Sequence, residues 1–134
     1  RHTRFRNVTG VQTCALPISL PVGLAAGRIR DTARQPLHRS RQKPRTCMSH
    51  RHVEWIDLAL PAGLAMTAMP EDVSVAKGPF SYSARYERTA TGLKARRELI
   101  INHPRRYCLP ETDRAWQDVS QVIKRDLRAQ VFLR

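Results

Sequence analysis

Residues 93–102 read LKARRELIIN, and the side chains of this segment alternate between two faces. A repeat of two residues is the pattern of a β-strand with one buried face. The apolar residues of the buried parity are Leu93, Ala95, Leu99 and Ile101. Arg97 interrupts this parity, and Pro104 ends the pattern shortly afterwards. We therefore predict a half-buried strand over residues 93–102.

An amphipathic helix is predicted to follow this strand. Pro110 suits the first position of a helix, and Glu111 and Asp113 then place negative charge in the first turn, where the helix dipole favours it. The apolar residues that recur at helical spacing are Trp116, Val119, Val122 and Ile123. Residues 129–133 are predicted to close the chain as a short strand.

Further strand patterns lie upstream. They occupy residues 53–60, 64–68, 73–76 and 80–88. The last of them alternates most clearly, and residues 89–92 after it form a turn signal, so we predict a central antiparallel hairpin with residues 93–102. The Trp116 helix is expected to cover one face of the sheet. The predicted fold class is α+β, a small antiparallel β-sheet or sandwich-like module over residues 50–134 with one C-terminal helix and a closing strand.

Residues 1–19 look like translated DNA of a different origin. Residues 8–18, VTGVQTCALPI, back-translate in one frame to the index-side adapter of Illumina sequencing libraries. The stretch also imitates a signal peptide, with Arg1, Arg4 and Arg6 ahead of an apolar run. We interpret residues 1–19 as adapter-derived, with no genuine signal peptide, and expect them to make no packed contacts with the module.

Residues 20–49 are rich in arginine and poor in large apolar side chains, with Asp31 as their single acidic residue. Such a composition buries too little apolar surface to offset the entropy of ordering the chain. We expect a disordered segment, either a natural linker or an insert read out of frame, in which residues 24–33 could make a helical turn or two. Together with residues 1–19 it makes the N-terminal third a predicted disordered region.

The positive charge is concentrated in this N-terminal third. The chain has 24 Lys or Arg and 11 Asp or Glu, a net charge of +13. Residues 1–52 hold 11 basic residues and one acidic residue, whereas residues 53–134 hold 13 and 10. The sequence shows no zinc-finger spacing, RNP-type motif or helix-turn-helix pattern. We therefore expect no specific nucleic-acid recognition, and keep a stand-alone basic polyanion-binding protein as an alternative function.

Cysteine and histidine residues are the candidates for chemistry. Cys47, His50 and His52 form a C-x-x-H-x-H cluster, with His103 and Cys108 further on. Zinc accepts these residue types, but the spacing matches no common structural site. A disulfide between Cys47 and Cys108 is left open by their spacing. We predict no metal ligands and no cofactor.

A catalytic thiol needs an imidazole base and a third, orienting group. His103 lies five residues before Cys108, across Pro104, at a corner between strand and helix. Glu111, Asp113 and Asp118 have the pattern of a solvated helix face, and no glycine-rich phosphate loop is present. We predict no catalytic residues; a small thiol hydrolase would require Cys108 and His103 within hydrogen-bond reach.

A family resemblance is carried by several short motifs. They are LPAGL at 60–64, MPED at 69–72, FSYS at 80–83, RRELII at 96–101, LPE at 109–111 and the closing residues 131–133. This pattern, over about residues 43–134, resembles the C-terminal domain of unknown function that follows the transglutaminase-like core in exported bacterial proteins. Met69-Pro70 stands where that family usually has Leu-Pro, and Leu109-Pro110 where it has Pro-Pro.

The resemblance implies an accessory role. In such proteins the catalytic Cys-His-Asp residues lie upstream, and this chain shows no counterpart; Cys108 does not match the family nucleophile. The implied function is a non-catalytic structural or interaction domain whose partner is the missing transglutaminase-like core. The parent protein is then expected to be exported to the periplasm or cell envelope, without membrane insertion of this segment.

Overall fold

The computed structural model describes residues 18–21, 27–35 and 45–134. The strands are β1 Ile18–Pro21, β2 Arg45–Thr46, β3 His50–Ala59, β4 Met66–Ala68, β5 Val73–Lys77, β6 Phe80–Arg88, β7 Gly92–Ile101, β8 Tyr107–Cys108 and β9 Gln130–Leu133. The helices are α1 Arg28–Arg34 and α2 Pro110–Asp126. The predicted α+β class, the C-terminal helix and the closing strand are confirmed. No helix in these three ranges is long and apolar enough to cross a bilayer.

A four-stranded antiparallel sheet in the order β3-β7-β6-β5 forms the main layer. The predicted hairpin is confirmed, with β6 and β7 paired from Phe80 opposite Ile101 to Arg88 opposite Leu93. The other edge of β7 pairs along its whole length with β3. Where β3 passes the start of β7, a Cβ atom on Gly92 would overlap the carbonyl group of Leu58, so this position requires glycine.

A second, three-stranded sheet has the order β1-β9-β4. Its first strand corrects the expectation that residues 1–19 make no packed contacts, because Ile18 pairs with Leu133 and Ser19 with Phe132. Strand pairing is made by backbone N–H and C=O groups, which the edge of β9 offers to an extended segment whatever its side chains. The same expectation for residues 1–17 lies outside the described residues.

Helix α1 corrects the expectation of disorder within residues 20–49. Ile29 and Ala33 are four positions apart, lie on one helix face and are both buried in the core. The backbone N–H of Ile29 donates to Oε1 of Glu54 on β3 at 3.0 Å, so a carboxylate occupies the N-terminal end of the helix. The average composition of residues 20–49 did not indicate that Ile29 and Ala33 would pack together in the core. The helix starts within the stretch where a turn or two was expected.

The inner face of the main sheet is covered by two helices. Helix α2 packs on β5 and β6, while α1 packs against α2 and β3. The predicted Trp116 stripe is buried at Trp116, Val119 and Ile123. The expectation that the Trp116 helix covers one face of the sheet is confirmed, and α1 adds a second, unexpected apolar contact with Ile29 and Ala33.

Candidate functional site

A short ladder brings the two distant cysteines together. Strands β2 and β8 pair Arg45 with Cys108 and Thr46 with Tyr107. The N–H of Cys47 then donates to the carbonyl of Arg106 at 2.8 Å. The Cα atoms of Cys47 and Cys108 lie 5.8 Å apart and the sulfurs form a disulfide. The pairing that the sequence left open is thus present in the structure.

The imidazole of His103 lies against this disulfide. Its Nδ1 is 3.4 Å and its Nε2 3.8 Å from Sγ of Cys108. The backbone N–H of His103 donates to Oγ of Ser49 at 2.8 Å, and its ring meets Phe80 edge-on at 5.5 Å between centroids. The end of β7 therefore holds the ring beside the Cys108 sulfur.

A cavity of about 360 Å³ opens next to the disulfide. Cys47 and His103 line it, with Phe80, Trp116 and Met48 contributing apolar walls. The Phe80 and Trp116 rings pack at 5.0 Å between centroids. Cys108 is only 5% exposed and does not line the cavity, so the two cysteines differ in access.

The structure regroups the residues that the sequence suggested for metal binding. Ligand atoms of Cys47, His103 and Cys108 lie within 4.8 Å of one another, but both sulfurs are bonded to each other and offer no thiolate to a metal. His50 and His52 instead lie side by side on β3, with ring centroids 4.6 Å apart and the ring planes tilted by 50°. Partial burial, together with His50 and Arg28, holds the pKa of His52 below its usual value. The predicted absence of metal ligands stays a prediction.

The thiol-enzyme alternative meets its distance condition, since His103 and Cys108 are within reach. The nucleophile of such an enzyme is a thiolate, however, and the Cys108 sulfur is bonded to Cys47 in this state. The acidic helix face is largely as expected, since Glu111 and Asp118 are exposed and Asp118 pairs with Lys77 at 2.7 Å. Asp113 is half-buried.

A buried polar cluster was not anticipated from the sequence. Nε of Arg97 donates to Asp126 Oδ2 at 3.1 Å, and the hydroxyl groups of Tyr82 and Tyr86 donate to the same carboxylate at 2.5 and 2.6 Å. Burial and the adjacent Asp126 raise the pKa of both tyrosines well above the usual value. We name these four residues the tyrosine–arginine cluster; it ties the end of α2 to β6 and β7. A signal was available, since Asp126 continues the Trp116 stripe of the helix.

The outer face of the main sheet carries an exposed aromatic residue. Trp55 on β3 is 74% exposed, and the guanidinium of its cross-strand partner Arg96 lies 5.4 Å from the indole centroid. Glu98 accepts hydrogen bonds from Arg51 and Arg96, and these bonds hold the pKa of Glu98 below its usual value. We name Trp55, Arg96, Arg51 and Glu98 the Trp55 face.

Comparisons of this chain with models of protein families, with curated proteins and with solved structures find no match.

Proposed function

We propose that this chain is a non-catalytic accessory domain, a C-terminal fragment of a bacterial transglutaminase-like protein that binds the catalytic core of that protein. The observation that carries the proposal is the Trp55 face. An indole that is 74% exposed on a folded sheet leaves a large apolar side chain in water. Tryptophan and arginine are the residue types that most often dominate the energy of protein interfaces.

The disulfide supports the expected location of the parent protein. Disulfides persist in oxidising compartments such as the bacterial periplasm and are rare in the cytosol. The Cys47–Cys108 bond links two segments 61 residues apart and so belongs to the tertiary fold. This agrees with a parent protein exported to the periplasm or cell envelope.

Binding to a transglutaminase-like core tests the proposal directly. The core of an exported bacterial protein of that class, with its own C-terminal module deleted, is titrated with the full chain in a calorimeter. We expect Trp55→Ser to weaken binding by at least about 2 kcal/mol, the size of a hot-spot residue. Met48→Ser is the matched control, because Met48 is 76% exposed and lies outside the Trp55 face. Equal affinities for the parent chain and Trp55→Ser would contradict the proposal.

A catalytic role is tested separately. The purified chain, both oxidised and reduced, is assayed for thiol-dependent hydrolysis or transfer on peptide amides. We expect no activity, because Cys108 beside His103 is buried in the fold and, in the oxidised chain, is also bonded to Cys47. Activity that Cys108→Ala abolishes would establish a thiol enzyme instead.

One observation favours a second candidate, a stand-alone polyanion-binding protein. That alternative requires order in the arginine-rich segment, and helix α1 is ordered with Arg28 and Arg34 exposed. The test is the salt concentration that elutes the chain from immobilised heparin. If α1 is a binding surface, Arg28→Gln with Arg34→Gln lowers that concentration more than Arg85→Gln with Lys94→Gln on β6 and β7. Equal shifts would indicate only a response to net charge.

A further inference from the structure

We propose that the Cys47–Cys108 disulfide is a thiol-exchange site, at which Cys47 forms a mixed disulfide with a low-molecular-weight thiol and Cys108 is released as the thiolate. Three observations carry this proposal: the unequal access of the two cysteine residues, the cavity at Cys47, and the contact between His103 and Cys108. The site would be a stoichiometric acceptor of a thiol, which is compatible with a domain that catalyses no reaction.

Access selects the sulfur that is attacked. Cys47 lines the cavity of about 360 Å³, whereas Cys108 is 5% exposed behind it. The cavity lies within the range of volumes that hold small ligands, and Phe80 and Trp116 give it an apolar wall. A small thiol entering this cavity therefore meets Cys47 and not Cys108.

The exchange step balances without a further reactant. The incoming thiolate forms a bond to Sγ of Cys47, the bond between the two protein sulfurs breaks, and its electron pair goes to Sγ of Cys108. One disulfide is consumed and one is formed, so no other oxidant or reductant is needed. The Cys108 thiolate then takes a proton from His103 in its imidazolium form or from water.

His103 favours departure of Cys108. A disulfide is cleaved faster when the departing thiolate is stabilised, and a neighbouring protonated imidazole stabilises a thiolate. Nδ1 of His103 is 3.4 Å from Sγ of Cys108, within reach of a hydrogen bond to sulfur. Ser49 Oγ accepts a hydrogen bond from the backbone N–H of His103, and Phe80 packs against its ring, so both help to position the imidazole.

The experiment follows the reaction with reduced glutathione. The full chain carries Cys14→Ser so that a third cysteine does not compete. The oxidised protein is mixed with glutathione under native conditions, free thiols are trapped with N-ethylmaleimide, and peptide mass mapping locates both adducts. We expect glutathione on Cys47 and maleimide on Cys108. Glutathione mainly on Cys108, an equal mixture, or reaction only after denaturation would overturn the proposal.

A pair of histidine variants tests the leaving-group role. We expect His103→Gln to slow exchange about tenfold, because the Cys108 thiolate loses its stabilising neighbour. His50→Gln is the control, since His50 lines the same cavity but is not in contact with the Cys108 sulfur, and its rate should stay within about twofold of the parent. Equal rates for the two variants would overturn the role of His103. If circular dichroism shows His103→Gln to be unfolded, the proposal is judged by which cysteine of the parent chain carries the glutathione adduct.

Discussion

Arg97 on β7 and Asp126 at the end of α2 form an ion pair in the interior of the protein, with Nε and Oδ2 3.1 Å apart. The two residues are 1% and 4% exposed. Burying charges is costly unless each is paired and hydrogen-bonded, and Tyr82 and Tyr86 add the donors that Asp126 needs. The tyrosine–arginine cluster therefore specifies the orientation of α2 on the sheet, since another orientation of the helix would leave a buried charge without its partner.

Removing both members of this pair should cost less stability than the two single removals added together. We expect Arg97→Met and Asp126→Leu each to lower the free energy of unfolding by about 3–5 kcal/mol, because each leaves an uncompensated buried charge. The double variant should lose clearly less than the sum of the two. Urea unfolding of the four proteins measures this, and single effects that add to within about 0.5 kcal/mol would show that the pair is not coupled.

The exposed pair of Lys77 and Asp118 is the matched control for these single and double variants. Its atoms are 2.7 Å apart, but both side chains are 52% exposed. Surface ion pairs typically contribute about 0–1 kcal/mol, so the corresponding changes should have little effect on unfolding.

The same cluster predicts a loss of stability at alkaline pH. Burial raises the pKa of Tyr82 and Tyr86 in the folded protein, whereas the pKa of a tyrosine in the unfolded chain is about 10. Below that pH both states hold the phenolic protons. Above it the unfolded state loses protons that the folded state keeps, so the free energy of unfolding falls as pH rises. Urea unfolding between neutral pH and pH 11 should show this fall.

Tyr82→Phe distinguishes the tyrosines from other groups that titrate at high pH. The variant is expected to be less stable at neutral pH, because Asp126 loses a donor, and to have a shallower alkaline fall, because one titrating phenol is gone. An alkaline fall as steep as that of the parent would mean that Tyr82 does not titrate on unfolding.

Local elements could be predicted from the sequence, whereas long-range partners could not. The alternation at Phe80, Tyr82, Ala84 and Tyr86 and the apolar stripe of α2 are short-range signals, and both elements formed where expected. The pairing of β3 with β7 joins segments that are not neighbours in the chain and left no local pattern. Arg97 interrupts the apolar pattern of the sequence, yet its side chain lies on the buried face of β7. Its ion-pair partner Asp126 lies 29 positions further along the chain, so no local pattern indicated that Arg97 would be buried.

The candidate site was hidden for a similar reason. Strands β2 and β8 have two residues each, which is too short for any periodic signal. Cys47 lies in a segment whose composition favoured disorder, and 61 residues separate it from Cys108. Its placement beside His103 depends on the backbone ladder of β2 and β8, which only the tertiary structure supplies.

The two tryptophans provide a matched pair for the core. Trp116 is 7% exposed and packs on Phe80, whereas Trp55 is 74% exposed. Trp116→Ala should cost about 3–5 kcal/mol, the usual range for a buried aromatic truncated to alanine. Trp55→Ala should cost at most about 1 kcal/mol, since the indole is mostly exposed and its contact with Arg96 lies at the surface. Equal melting temperatures for Trp116→Ala and the parent would show that α2 does not cover the sheet.

Opening the disulfide should lower the free energy of unfolding, because the unfolded chain gains conformational freedom when the bond is absent. The bond closes a loop of 61 residues, for which the chain-entropy relation gives a contribution of about 4 kcal/mol. Cys47→Ser with Cys108→Ser should therefore unfold at a clearly lower urea concentration than the oxidised parent. The reduced parent chain is the control and should resemble the double variant. A double variant as stable as the oxidised parent would mean that the bond does not stabilise the protein by restricting its unfolded chain.

Helix α1 provides the sharpest test of whether the arginine-rich segment belongs to the fold. Ile29 is fully buried against the main core, and its N–H is bound by Glu54. We expect Ile29→Ala to cost about 2–5 kcal/mol, as for a buried aliphatic side chain. Arg34→Ala, at an exposed position of the same helix, is the control and should stay within about 0.5 kcal/mol of the parent. Urea unfolding of the full chain measures both. If Ile29→Ala were as harmless as Arg34→Ala, α1 would not be packed on the sheet, and the interpretation of residues 20–49 as an unfitted, disordered segment would stand.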